Sequence, residues 1–240
     1  MRLTFTRVLA STFAGIVGWR LFRRPVERRL ASASGRRWSR VVAVAPAYDQ
    51  LTSCFSRWLL KALTGIDCIL FVGDSAERSR FLASLGGDKS TLVVLFGHGT
   101  DDAFFTSPEL GLESDEYHGE HSCLCRPIEL EVVPGLALVG YFCSSASFVK
   151  SIPGGRKSHL GYSGLMPFEL SQEEAFSRPI QVALSHVLST GQLGVETKQV
   201  LLRAYRAEHR RWSLRKKDPR FPRALAVCMC LEEHARLLVA

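Results

Sequence analysis

A chain of 240 residues, 46% hydrophobic and 22% charged, is long enough to bury one core and too apolar to be disordered as a whole. Its formal net charge of +8 is local: residues 1–40 carry ten Arg against Glu27 alone, whereas residues 41–240 carry 21 basic and 22 acidic side chains. That distribution argues against a basic body built for nucleic acid, and no nucleic-acid partner is expected.

The first forty residues read as a basic N-terminal arm. Val8 to Trp19 is uncharged but spans only twelve residues, short of the ~20 that a membrane-crossing helix needs. Arg20, Arg23, Arg24, Arg28 and Arg29 fall where a secretory cleavage region would be neutral. The arm is expected to be solvated or to make a peripheral contact with anionic lipid; its Arg- and Ser-rich, acid-poor composition also fits an organelle transit peptide. The seven cysteines (54, 68, 123, 125, 143, 228 and 230) follow no disulfide-scaffold spacing, which points to a reducing, cytoplasmic setting.

From Val41 the pattern becomes regular. Val41 to Ala45 is a continuous apolar run ended by Pro46, as in a strand covered on both faces. Asp49 can cap a helix whose apolar positions Leu51, Phe55, Trp58, Leu59 and Leu63 recur at helical spacing until Gly65. Cys68 to Val72 is a second strand, and Asp74 with Glu77 suggests a capping box opening a helix through Phe81, Leu82 and Leu85 to Gly86-Gly87.

Thr91 to Thr100 (TLVVLFGHGT) is a third strand that stops at His98. Between Thr100 and Pro134 the chain reads as a long excursion with a short hairpin at Ile128 to Val133, its residues 101–131 holding nine acids and Arg126 as their only basic side chain. Leu136 to Ser145 (LALVGYFCSS) returns as a strand stopping at Cys143, and Leu160 to Phe168 is a strand or close-packed loop. Three helices follow: one opened by a Ser171/Glu174 capping box and closed by Gly191, one through Thr197 to Trp212, and one over Leu225 to Leu238.

The expected fold is therefore α/β: a mostly parallel central sheet flanked by helices over residues 41–240, with the basic arm 1–40 before it and a helical C-terminal part.

Open α/β sheets gather their chemistry at the carboxyl ends of strands. His98 and Cys143, each delivered there by its own strand, could stand side by side as a thiol nucleophile needs its base. A thiol of pKa ~8.5 is only a small fraction thiolate at neutral pH, so a neighbouring imidazole raises the reactive fraction. Gly99 permits close backbone approach to a substrate carbonyl, and N–H groups aimed at a developing oxyanion are often the largest catalytic contribution.

The order of apolar strand, His98-Gly99, second apolar strand and Cys143 followed by small residues resembles the caspase-like cysteine peptidases: caspases, metacaspases, separase, gingipains and the bacterial caspase-like (CHAT) domains. The resemblance covers about Val41 to Phe168 and rests on those two short motifs. It implies that Cys143 is the nucleophile and His98 the base, and that the N–H groups of Gly99 and Cys143 hold the oxyanion. It also implies a protein or peptide substrate, no cofactor, and frequent dependence on dimerisation, calcium or an activating partner. One departure is the Tyr141-Phe142 pair before Cys143, where a small residue is commoner; Ser144-Ser145 follow it.

If the acidic segment borders the cleft, Asp101 and Asp102 would favour a basic residue before the scissile bond by charge complementarity. The Arg-rich stretches 20–40 and 203–223 would then be candidates for self-cleavage.

Other motifs compete. His118, His121, Cys123 and Cys125 supply four zinc-ligand types, but their spacing departs from the usual paired arrangement and no metal is assigned. Gly161-Tyr162-Ser163-Gly164 lacks the second glycine of a serine-hydrolase elbow, because residue 165 is Leu. No phosphate- or dinucleotide-binding glycine motif is present. Cys228, Cys230, His186 and His209 read as ordinary helix residues. Arg203 to Arg223, interleaved with Tyr205, Trp212 and Phe221, is expected to be a solvated face. The leading expectation is a cysteine endopeptidase, with a catalytically silent caspase-like interaction module, or a zinc-stabilised or polyanion-binding protein, as the alternatives.

Overall fold

The computed structural model describes residues 38–86, 90–106, 123–154 and 157–240; almost all of the N-terminal arm lies outside them. In chain order the described elements are β1 (Arg40–Ala45), α1 (Gln50–Ala62), β2 (Ile69–Val72), α2 (Arg78–Ser84), β3 (Thr91–Phe96), β4 (Phe104–Phe105) and β5 (Cys123–Cys125). They continue with β6 (Ala137–Tyr141), α3 (Ser145–Lys150), β7 (Ser158–Tyr162), α4 (Glu174–Thr190), α5 (Val195–Ser213), α6 (Ala224–Leu237) and β8 (Leu238–Val239).

The apolar runs assemble into a six-stranded sheet of order β2-β1-β3-β6-β7-β8, parallel except for β8, which is antiparallel to β7. Because side chains alternate along a strand, each run feeds two cores. Val41, Ala43, Ala45, Leu92, Val94, Phe96, Val139 and Tyr141 face α1, α4, α5 and α6. Val42, Val44, Val93, Leu95, Leu138 and Phe142 face Phe81 of α2, Phe148 and Val149 of α3, and Leu124 and Cys125 of β5. The result is an α/β/α sandwich. Strand order reverses between β1 and β3: the chain leaves β1 through α1 on one face, then returns through α2 on the other to enter β3. At such a reversal the connections diverge and leave a crevice outside the carboxyl ends of the strands.

Several local expectations change. The helix after β2 begins at Arg78, after a 3-10 turn at Gly73–Ser75, so the Asp74/Glu77 box does not open it. Likewise α4 begins at Glu174, and the Ser171 hydroxyl bonds Glu169 instead. Ile128 to Val133 is not a hairpin: Pro127, which cannot donate to a ladder, opens a 3-10 turn over Pro127–Leu130. The hairpin partners are Phe104–Phe105 and Cys123–Cys125. The last helix stops at Leu237, and Leu238 starts an edge strand. The Gly191 stop is met, with φ 64°. His118 and His121 lie outside the described residues, while Cys123 and Cys125 are buried in β5. All seven cysteines are free thiols. Among the described residues no His/Cys/Asp/Glu cluster is grouped to hold a metal, and no helix is long and apolar enough to cross a membrane.

The core on the α4–α6 side is aromatic and contains one imidazole, His234 of α6, fully buried. It is ringed by Tyr141, Tyr162, Phe168, Phe176 and Tyr205, at centroid distances of 4.8–6.1 Å. Its Nε2 lies 2.8 Å from the Pro167 carbonyl oxygen and its Nδ1 3.3 Å from the Tyr205 hydroxyl, which is itself 2.6 Å from the Tyr162 hydroxyl. A carbonyl can only accept, so Nε2 carries the proton. In the neutral ring Nδ1 then accepts from Tyr205, and Tyr205 accepts from Tyr162, giving a directed chain with every proton assigned.

Burial pushes the His234 pKa down to about 4, against smaller upward effects of the Pro167 carbonyl and Glu233. Since the folded value lies below the unfolded ~6.5, the His234 contribution is complete above about pH 6.5 and lost as pH falls towards about 4. Its size is on the order of 3 kcal/mol. Urea unfolding at several pH values is expected to show this loss in the wild type and a flatter profile in His234→Phe; parallel profiles would contradict it.

Candidate active site

Three residues distant in sequence follow neighbouring strands at the carboxyl edge of the sheet. Asp49 follows β1, His98 follows β3 and Cys143 follows β6. Strands β3 and β6 are parallel neighbours in the register Phe96↔Tyr141, so His98 and Cys143 each stand two residues beyond a matched pair. The Gly97 N–H donates to the Tyr141 carbonyl at 3.3 Å, carrying the pairing past the strand ends. His98 and Cys143 thus follow neighbouring strand ends, each two positions past the last matched pair, without a direct hydrogen bond between them.

His98 is oriented by Asp49, a partner that the sequence reading assigned only to helix capping. Asp49 is the N-cap of α1: its Oδ1 accepts from Thr52 N–H at 2.7 Å and Thr52 Oγ1 at 2.8 Å, while Thr52 Oγ1 accepts from Asp49 N–H in return. The other carboxylate oxygen, Oδ2, lies 2.8 Å from His98 Nε2. Burial works to raise the Asp49 carboxyl, but the hydrogen bonds from Thr52 and His98 outweigh it and hold the pKa below its ordinary value. An ionised carboxylate only accepts, so Nε2 carries the proton, and in the neutral ring Nδ1 is the basic nitrogen. Tyr48 flanks the pair, its ring 5.9 Å from that of His98. Burial and the adjacent Asp49 charge push its phenol pKa up, so Tyr48 stays protonated.

Cys143 is half-buried at the turn between β6 and α3. Met166 N–H points at its sulfur at 3.5 Å. Ser144 has φ 58°, making it the one non-glycine with positive φ among the described residues. Such a conformation costs roughly 1–2 kcal/mol and is held by the Ser144 N–H bond to the Gly164 carbonyl at 3.1 Å. Ser145 is fully buried and stitches β6 to β7, donating from Oγ to the Gly140 carbonyl and accepting from Tyr162 N–H, both at 2.9 Å. A Cβ at Gly140 would sit 2.6 Å from Ser145 Cβ, and one at Gly161 would sit 2.8 Å from its Oγ, so the stitch requires both glycines.

Gly99 is small for a similar reason. A Cβ there would lie 2.9 Å from Phe142 Cε2, closer still to Cδ2, and 3.0 Å from the Ala103 carbonyl. Phe142, before Cys143, and Gly99, after His98, are therefore one packing unit. Residues 98–105 form a second, tighter hairpin, closed around Gly99 by Thr100 N–H to Ala103 O and Phe105 N–H to His98 O, and neither the Gly99 nor the Cys143 N–H donates to a described residue. Asp101 and Asp102 are exposed at the tip of this hairpin, where Asp102 accepts from Thr100 Oγ1. Neither hydrogen-bonds to His98 or Cys143.

Gly99→Ala is expected to destabilise the fold by about 1–3 kcal/mol through overpacking. Adding Phe142→Leu is expected to recover at least about half of that loss, a coupling that urea unfolding of the two single variants and the double variant measures. Strict additivity would show that the ring does not dictate the glycine.

No protein-family model matches the chain, and no curated protein is detectably similar to it.

Proposed function

We propose that the protein is a cysteine endopeptidase that works through an acyl-enzyme formed on Cys143. The observation that carries this reading is a histidine held by a carboxylate just past the end of β3, with a half-buried cysteine just past the end of the neighbouring parallel strand β6. In the proposed cycle, His98 Nδ1 takes the thiol proton and the sulfur attacks the scissile carbonyl. The oxyanion is received by the N–H groups of Gly99 and Cys143. His98 then returns the proton to the leaving amine, and water, activated in the same way, releases the acid product. Asp49 keeps the tautomer that leaves Nδ1 free and stabilises the imidazolium when it forms, the part an orienting carboxylate plays in a triad.

The substrate class is a protein or peptide, and no cofactor enters the chemistry. Asp101 and Asp102, exposed on the hairpin that follows Gly99, support a preference for a basic residue before the scissile bond through the field they set up at the cleft. Self-cleavage after Arg203, Arg206, Arg210 or Arg211 would require unwinding α5, and Arg215 is stacked between Trp212 and Phe221 at 4.6 and 4.5 Å. The exposed Lys216 and Lys217 offer the better sites.

Intact-mass labelling with an Arg-terminated acyloxymethyl ketone peptide tests the proposal. The wild type is expected to take one adduct and Cys143→Ala none, with labelling slowed by about a hundredfold or more in His98→Ala and by about tenfold or more in Asp49→Asn. No adduct from this probe or an Asp-terminated one, with calcium present, would favour a silent fold used for binding.

A further inference from the structure

The turn that carries Cys143 leans on one segment, Ser163 to Pro167. Within it, the Gly164 carbonyl holds Ser144 N–H and Met166 N–H points at the Cys143 sulfur. The two ends of this segment are tied to a single face of α6. Ser163 N–H donates to the Leu237 carbonyl at 2.9 Å, and its hydroxyl reaches the same oxygen at 3.2 Å. At the other end the Pro167 carbonyl accepts from His234 Nε2–H at 2.8 Å. Residues 234 and 237 are one helical turn apart and share a face, so α6 holds the segment like a strap fixed at both ends, with the two nucleophile contacts between the fixings.

The His234 fixing is over-determined. Tyr205 of α5 donates to Nδ1, Tyr162 of β7 backs Tyr205, and Tyr141 of β6, Phe168 and Phe176 of α4 close the cage. The Tyr141, Tyr162 and Tyr205 hydroxyls are kept neutral by burial. Among the described residues the charge acting on the ring is Glu233, which is turned outward and paired with Arg236. A phenylalanine would fill the same aromatic cage, but it would leave the Pro167 carbonyl without its donor.

We propose that His234 is a positioning residue for the reaction at Cys143, acting through Pro167 and the Gly164–Met166 segment to fix the nucleophile's turn. It touches neither sulfur nor substrate. The inference rests on the peptidase reading for its kinetic readout, while its structural readout is independent of that reading.

The test compares wild type, His234→Phe and His234→Gln in the full chain by two measurements. Amide hydrogen exchange of residues 163–168 is expected to speed up by about tenfold or more in His234→Phe. It should stay within about threefold of wild type in His234→Gln, whose amide can still donate to the Pro167 carbonyl. Labelling by the Arg-terminated ketone is expected to lose about tenfold or more in its limiting rate in His234→Phe, with the half-saturating concentration unchanged and the Gln variant rescuing. A folded His234→Phe with wild-type exchange across 163–168 overturns the proposal, as does equal loss in both variants. If the wild type takes no probe, the peptidase reading fails and the clamp is judged by exchange alone. Should His234→Phe not fold, Tyr205→Phe, which removes the hydroxyl that holds Nδ1 and keeps the ring aimed at the Pro167 carbonyl, is judged by the same exchange criterion.

Discussion

The two aromatic rings before Cys143 hold the carboxyl edge of the sheet together. Tyr141 turns to one face of the sheet, where Phe55, Phe96 and Tyr162 pack around it at 5.0–5.5 Å. Phe142 turns to the other, against Phe104 and Phe148 at 5.1 and 5.4 Å. The end of β6 is thereby pinned from both sides at the last point before Cys143, and close-packed interiors yield little to displacement. Much of the surrounding sequence follows from the volume these rings take. Phe142 forbids a side chain at residue 99, and the buried Ser145 stitch forbids one at 140 and 161. Gly99, Gly140 and Gly161 are thus explained by packing alone.

A single carboxylate links fold and chemistry. Asp49 ends the turn after β1 and starts α1, so its capping role is fixed by local backbone requirements. With Oδ1 held by Thr52, Oδ2 has little freedom, and it meets the ring that β3 delivers next door. Both side chains are about 40% exposed, and polar pairs exposed to that degree contribute about 0–1 kcal/mol to stability. The value of the pair is geometric: a rigid cap gives the imidazole one tautomer and one orientation.

Strands β1, β2, β3 and β6 were legible because each lies in a largely apolar run ended by Pro, Gly or Cys143, whereas β7 opens on Ser158 and His159 and was visible only in part, from Leu160 onward. The Asp49 cap was legible for a similar reason, since its signal lies within a few residues. What could not be read was set by distance. Nothing local in residues 46–49 announces that the carboxylate meets a histidine 49 residues later; only the strand order β2-β1-β3 creates that contact. Strand β8 was hidden because its two residues continue the apolar pattern of α6, and its identity depends on an open edge at β7. The β4–β5 hairpin was missed because the two short strands that pair in it flank a long acidic stretch without periodicity.

His234 was hidden by the same limit, and the chemistry of its cage explains why this position holds an imidazole. An aromatic side chain is needed to fill the space among Tyr141, Phe168, Phe176 and Tyr205, yet two polar groups converge there from opposite sides, a carbonyl that accepts and a hydroxyl that donates. Leaving either unpaired in such surroundings costs about 1–3 kcal/mol. Phenylalanine satisfies neither, and tyrosine carries only one polar atom, at the tip of its ring. Neutral histidine presents a donor and an acceptor on separate edges of a flat ring, at the modest expense of staying neutral. The helical C-terminal part is therefore more than a cover for the sheet. Through α6 it returns two polar anchors to the carboxyl edge, where the chain ahead of it has already assembled Asp49, His98 and Cys143.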